Sequence, residues 1–223
     1  MTRLCVCLTE KTSLSCSDFV KNTDADLIEH RMDFMNPIQG LSEIYSSTEI
    51  PIIATCRSRT EGGFFKGKET QRINHLIEAV KAGASFVDVE VETKQHHFLK
   101  IRDVISTMSC QLIMSKHYSE FTPRYDKLVE LIQKMQRTDA DILKIVVTPQ
   151  TIQDCIHVLQ LYADEKIETP LISFGMGDRW KFTRVVALLM GAPFMYVSQD
   201  TGQPAASGQI SLSEMRRILE VLS

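Results

Sequence analysis

Eight short apolar runs recur along the chain at nearly even spacing: LCVCLT (4–9), DLIEHRMDF (26–34), PIIATCRS (51–58), SFVDVEVE (85–92), QLIMSKH (111–117), DILKIVV (141–147), PLISFGM (170–176) and PFMYVS (193–198). Runs of this length, rich in β-branched residues, read as buried strands. Stretches with helical periodicity separate most of them. Ile73, Leu76, Ile77 and Val80 fall at i, i+3, i+4, i+7, and Leu128, Leu131, Ile132 and Met135 repeat that spacing after Pro123. Ile152, Ile156, Leu159 and Ala163 give a third stripe behind Thr148-Pro149. The last segment opens with Ser211-x-x-Glu214, a capping box, and carries Met215, Ile218, Leu219 and Leu222. Strands alternating with helices in units of roughly 28 residues predict a parallel α/β fold. An open doubly wound sheet and a (β/α)8 TIM barrel both satisfy that count. Two features favour the barrel: the length of 223 residues, and EKTSLS after the first strand where a doubly wound nucleotide fold places a glycine-rich turn. With no low-complexity segment and no linker, residues 1–223 are expected to form a single domain.

Charge excludes some partners. The 25 Lys and Arg stand against 28 Asp and Glu, a net of −3, so nothing electrostatic points to nucleic acid or an anionic membrane. No apolar run approaches the roughly 20 residues that span a bilayer. The apolar stretch within MTRLCVCLTEKTS is too short for a cleavable signal. Cys5, Cys7, Cys16, Cys56, Cys110 and Cys155 form no CxxC pair and are expected to be buried free thiols of a reducing compartment. A soluble protein of the cytoplasm is the expectation.

Polar residues fall in a pattern within these runs. Side chains alternate along a strand, so Glu29, Arg31 and Asp33 share one face, as do Asp88, Glu90 and Glu92. Arg57 ends the third run, with Glu61 just beyond it before Gly62-Gly63; His117 ends the fifth, Met176 the seventh, and Arg184 lies in the helix that follows. Catalytic groups of (β/α)8 barrels come from the C-terminal ends of several strands. The plainer alternative is an ion-paired plug, since buried pairs often add little net stability. His96-His97 reads as a solvated helix start without metal-like companions, and Trp180 as packing or loop anchoring.

Lys144 is the most demanding of these residues. It shares a face with Ile142 and Val146 in the middle of DILKIVV, and lysine is almost never fully buried without a partner. A lysine desolvated among apolar groups and near other cations is biased toward the neutral amine, which attacks carbonyl carbon. The protonated imine that results is an electron sink for removing an adjacent proton. His117 suits the general base, because histidine ordinarily titrates near neutrality. Glu61 could orient its ring, and the arginines suit an anionic substrate, most simply a carboxylate.

The pieces EHRMDF (29–34), ATCRSRTEGG (54–63), VDVEVE (87–92), SKHYSEFTP (115–123), DILKIVVTP (141–149), FTRVVALLMGAP (182–193) and GQ (208–209) stand in the order and spacing of type I 3-dehydroquinate dehydratases. The chain resembles that family from about residue 4 to its C-terminus. The resemblance implies a (β/α)8 barrel that dehydrates 3-dehydroquinate to 3-dehydroshikimate, the third step of the shikimate pathway, with no metal and no cofactor. It implies that Lys144 forms the imine, and that His117 takes a proton from C2 and returns one to the departing C1 hydroxyl. Glu61 would support His117. Arg184 and Gln209 would hold the substrate carboxylate, Glu29, Arg31 and Arg57 would meet the ring hydroxyls and organise the pocket, and Met176 would line it. The family's common habit implies a homodimer. Three features depart from the family pattern. In AASGQ (205–209), Ala205 stands where the lid usually has serine and Ser207 where it has proline; Tyr118 and Ser119 follow His117 in place of an acidic or amide residue and phenylalanine. The chain also starts almost at its first strand, without the N-terminal hairpin that closes the bottom of many family barrels, and because it ends with its eighth helix a fused shikimate dehydrogenase is not expected. An imine-forming aldolase or transaldolase, and an inactive barrel kept as a binding module, are the competing readings.

Overall fold

A computed structural model describes residues 2–201 and 204–222. All eight apolar runs are strands: β1 (Leu4–Leu8), β2 (Leu27–Arg31), β3 (Ile52–Thr55), β4 (Phe86–Glu90), β5 (Gln111–His117), β6 (Ile142–Val147), β7 (Leu171–Gly175) and β8 (Met195–Val197). They make one sheet in the order β7-β6-β5-β4-β3-β2-β1-β8. The order climbs without the mid-sheet reversal that defines a doubly wound fold, so the strands follow the (β/α)8 plan. Eight α-helices alternate with them: α1 (Ser13–Asn22), α2 (Leu41–Tyr45), α3 (Glu69–Lys81), α4 (Gln95–Ile105), α5 (Tyr125–Gln136), α6 (Ile152–Leu159), α7 (Phe182–Leu189) and α8 (Leu212–Leu222). Among the described residues no helix is long and apolar enough to cross a membrane.

The chain divides into two compact units, residues 7–113 and residues 1–6 with 114–223. In the unit of residues 7–113, β2, β3 and β4 pair in parallel, with Arg31 opposite Thr55 and Thr55 opposite Asp88. Paired residues point the same way, so these three form one polar row at the C-terminal ends of their strands. The adjacent row of His30, Ala54 and Val87 points to the opposite face. In the other unit β6 pairs with β7, setting Lys144 opposite Ile172 and Val146 opposite Phe174, and β8 pairs with β1, setting Tyr196 opposite Cys5.

The helices form where apolar periodicity and capping coincide. α3 buries Ile73, Leu76 and Val80, α5 buries Leu128, Ile132 and Met135, and the Ser211–Glu214 box closes at 3.0–3.4 Å ahead of α8. The stripe expected on α6 is out of phase. Its buried residues are Cys155 and Val158, whereas Ile152 and Ile156 are exposed and Ala163 lies exposed in the 3-10 turn that follows. The segment IQDCIHVL has apolar residues on both sides, so spacing alone does not orient it.

Two expected strand faces also end early. β2 gives way after Arg31 to a 3-10 turn over Met32–Phe34, so Asp33 reaches Arg31 from a turn and not from the strand. β4 stops at Glu90, and Glu92 beyond it is exposed. β3 likewise stops at Thr55, which puts Arg57 in the loop after the strand. His96 is exposed at the start of α4 as expected, but His97 is buried. All six cysteines are free and buried.

Candidate active site

Residues 7–113 hold a buried network of charge. The Arg57 guanidinium is shared by Asp88 at 2.8 Å, Glu90 at 3.3 Å and Glu61 at 3.9 Å. Burial by itself would favour loss of its proton, but the three carboxylates outweigh it and hold the guanidinium firmly protonated. Glu90 also accepts from the Ser58 amide at 2.8 Å and lies 3.5 Å from Arg72, which Glu69 grips through two hydrogen bonds of 2.7 and 2.8 Å. Gly63 lets this loop fold tightly. A Cβ there would lie 2.1 Å from the Arg57 carbonyl oxygen, a distance no side chain tolerates, and the Gly63 amide instead donates to Ser58 at 2.8 Å.

Arg31 donates twice to Asp33, both bonds at 2.8 Å, and the Phe64 amide donates to the same carboxylate at 3.0 Å. Burial pushes the Asp33 carboxyl up; the hydrogen bonds and charge of Arg31, with the amides, overcome this and hold it below the usual carboxylate range. Glu29 accepts from Thr55 Oγ1 at 3.0 Å and from the Cys7 thiol at 3.2 Å. His30, between Glu29 and Arg31 in sequence, faces the helices instead. Its Nε2 lies 3.7 Å from Cys16 of α1 and its Nδ1 3.2 Å from the Tyr45 hydroxyl of α2. Burial drives its pKa down to about 4 despite the nearby Asp33 charge, and pushes the Cys16 thiol up to about 12, so both are neutral.

The other unit carries the lysine and the histidine. Lys144 is 3% exposed, and its Nζ lies over the Tyr196 ring, 3.9 Å from the centroid. His117 is the half-buried last residue of β5, and the next residue's amide donates to Val146 at 2.8 Å, holding the ends of β5 and β6 side by side. The Met176 amide donates to Val147 at 2.8 Å, which sets half-buried Met176 at the end of β7. Thr183 bridges the Gly175 amide and the Trp180 carbonyl, at 3.0 and 2.7 Å, and so locks the start of α7 to that strand end. Arg184 follows on α7, 1% exposed, with its guanidinium 4.1 Å from the centre of the Phe174 ring. Trp180 is buried, with the Arg179 guanidinium over its ring at 4.7 Å, in keeping with the packing or loop-anchoring part expected of it.

The segment after β8 lies against the β7 loop. Gly177 donates its amide to the Ser207 carbonyl at 3.2 Å. Gly208 has φ +75°, and a Cβ on it would meet the Gly177 carbonyl oxygen at 2.4 Å. The Gln209 side-chain oxygen accepts from the Ala206 amide at 3.2 Å, while Ala205 is half-buried and Ser207 exposed.

Sequence reasoning passed over Cys7, Thr55, Arg72 and Tyr196. Thr55 alternates with Arg57 in the third run, which is a usable signal, whereas the strand of Cys7 carries no charged residue to mark its face. Tyr196 sits in an apolar run where nothing separates a packing ring from one that faces a lysine. Among the described residues no cluster of three or more His, Cys, Asp or Glu side chains could hold a metal ion.

A model of one family, described as type I 3-dehydroquinase, matches residues 4–223. The chain belongs to the type I 3-dehydroquinase family. Its members are 3-dehydroquinate dehydratases, which are hydro-lyases. The 3-dehydroquinate dehydratase of Desulfotalea psychrophila is 35% identical over 196 residues, 87% of this chain and 86% of that protein. The enzyme of that name from Methanocaldococcus jannaschii is 30% identical over 199 residues, covering 89% and 88%. In structure, the 3-dehydroquinate dehydratase of Geobacillus kaustophilus HTA426 superimposes with a TM-score of 0.88 at 25% identity, covering 100% of this chain and 91% of that one. The fold is therefore the (β/α)8 barrel of the type I 3-dehydroquinases. An aldolase shares that fold at a TM-score of 0.63 and 11% identity, a likeness of architecture alone.

Proposed function

We propose that this type I 3-dehydroquinase works through an imine on Lys144, and that it acts as a single catalytic domain on 3-dehydroquinate. The observation that carries the mechanism is a lysine 3% exposed in the middle of an apolar strand, its amine against an aromatic face. Burial keeps that amine out of bulk water at a fixed strand position, a setting that suits it to covalent chemistry with a carbonyl.

The neutral amine of Lys144 attacks C3, the carbonyl oxygen leaves as water, and a protonated imine remains. His117 removes a proton from C2, and the C–H electron pair flows toward the imine nitrogen. The C1 hydroxyl then departs with a proton from His117, giving syn elimination. Hydrolysis of the imine frees 3-dehydroshikimate and the lysine. Glu61, in its buried bond with Arg57, supports the charged form of His117. Glu29, Arg31 and Arg57 organise the pocket for the ring hydroxyls, with Arg57 acting through the carboxylates it holds. Arg184 and Gln209 take the substrate carboxylate, Met176 lines the pocket, and Ala205 and Ser207 form part of the lid. The reaction is the third step of the shikimate pathway, in the cytoplasm, and the assembly is a homodimer.

Borohydride tests the central step. Added with 3-dehydroshikimate, it should inactivate the protein and leave one ligand mass on the peptide containing Lys144, and Lys144→Ala should abolish both the adduct and the enone absorbance formed from 3-dehydroquinate. An adduct on a different lysine would overturn the assignment.

A further inference from the structure

The Tyr196 ring presents its face, and not its edge, to the Lys144 amine. The centroid distance of 3.9 Å is well inside the ~6 Å within which a ring quadrupole attracts a cation. Both partners are only 3% exposed, so little water competes with the attraction. The ring is also held in place. β8 pairs with β1 through Cys5 and Tyr196, and Phe194 packs on the ring at 5.4 Å and 66°. A cation on that nitrogen thus meets a fixed, negative, desolvated surface.

We propose that Tyr196 is a positioning residue of the imine chemistry, its ring face stabilising positive charge as that charge builds on the Lys144 nitrogen. This role rests on the imine reading of Lys144. When the amine attacks, the N–C bond forms and a proton shift leaves a neutral carbinolamine. Charge then builds as its protonated hydroxyl leaves as water and the nitrogen lone pair becomes the second C–N bond. Removal of the C2 proton sends an electron pair back to nitrogen and neutralises it. Loss of the C1 hydroxyl, protonated by His117, reverses that shift and makes the nitrogen positive again. The ring therefore assists the two steps in which nitrogen gains positive charge, imine formation and hydroxyl departure. The aromatic face is what acts; the phenol hydroxyl is incidental to it.

The experiment follows imine formation directly. Enzyme is mixed with 3-dehydroshikimate, quenched with borohydride after set times, and the Lys144 adduct is quantified by mass. Tyr196→Leu should slow adduct formation about thirtyfold, the scale of a desolvated cation–π contact. Tyr196→Phe should restore most of the rate. In the Phe background, one, two and three ring fluorines withdraw electron density from the face while nearly preserving its shape, and the rate should fall stepwise. The fluorinated series needs no change of packing, so it decides the question even if Tyr196→Leu folds poorly. A series flat with fluorine number, in a protein whose wild type forms the adduct, overturns the role of the ring and leaves the imine intact. A wild type that forms no adduct overturns both.

Discussion

His30 offers a stability test whose size follows from its surroundings. The ring is fully buried between Cys16 and Tyr45, and its pKa falls from 6.5 to about 4, burial outweighing the opposing Asp33 charge. An unfolded chain exposes the ring and lets it titrate normally. Between pH 6.5 and pH 4 the unfolded state therefore binds a proton that the folded state does not, and stability must fall as pH falls through that window. Above pH 6.5 the contribution is fully present. The limiting slope is about 1.4 kcal/mol per pH unit, so going from pH 7 to pH 5 should cost about 2 kcal/mol through this residue. In His30→Gln the side chain keeps donor and acceptor groups but does not titrate. Urea unfolding at both pH values measures the comparison. The wild type should lose about 2 kcal/mol more than the variant over that interval, whatever their difference at pH 7. Equal losses in the two proteins would refute the claim that His30 is held neutral by burial.

His117→Ala should still form the borohydride-trapped adduct yet lose about 10²–10⁴-fold or more in elimination, followed as enone absorbance; near wild-type turnover would remove histidine from proton transfer. Gly208→Ala forces a Cβ to within 2.4 Å of the Gly177 carbonyl oxygen at a backbone angle side chains rarely adopt. It should raise KM and speed hydrogen exchange at the Gly177 amide, with a local cost of about 2–3 kcal/mol from lost backbone geometry and one hydrogen bond. Unchanged exchange at that amide would mean the loop has another anchor. Arg57→Met strips the shared cation from Asp88, Glu90 and Glu61 and should cost about 3–5 kcal/mol in urea unfolding, because breaking a buried pair leaves charge uncompensated.

Most of the frame was legible because strand and helix periods differ so plainly here. Every apolar run became a strand, and the stripes of α3 and α5 were buried on the expected sides. Misreadings came where period alone lacks an origin. On α6 two overlapping apolar stripes compete, and the buried one is set by packing on β7. Asp33 and Glu92 lie past the ends of their strands, where alternation no longer holds, and hydrogen-bonded pairing stops without a mark in composition. The polarity of His97 suggests solvent, but its place on the helix turns it inward. Of the site, the ordered motifs pointed to the family, and the burial of Lys144 followed from its strand. The aromatic face over its amine did not, because that contact joins β6 to β8 across more than fifty positions of chain.

β2 is written two residues at a time. Glu29 and Arg31 serve one side of the sheet and His30 the other, each with partners that suit only its own chemistry. Deleting one residue within Leu27–Arg31 would exchange the sides, sending a carboxylate toward the helices and an imidazole among the charges. Deleting two would shorten the strand but keep every survivor on its proper side. A deletion scan through this segment should therefore alternate between ruinous and partly tolerated, with a period set by the pleat and not by how many residues are lost.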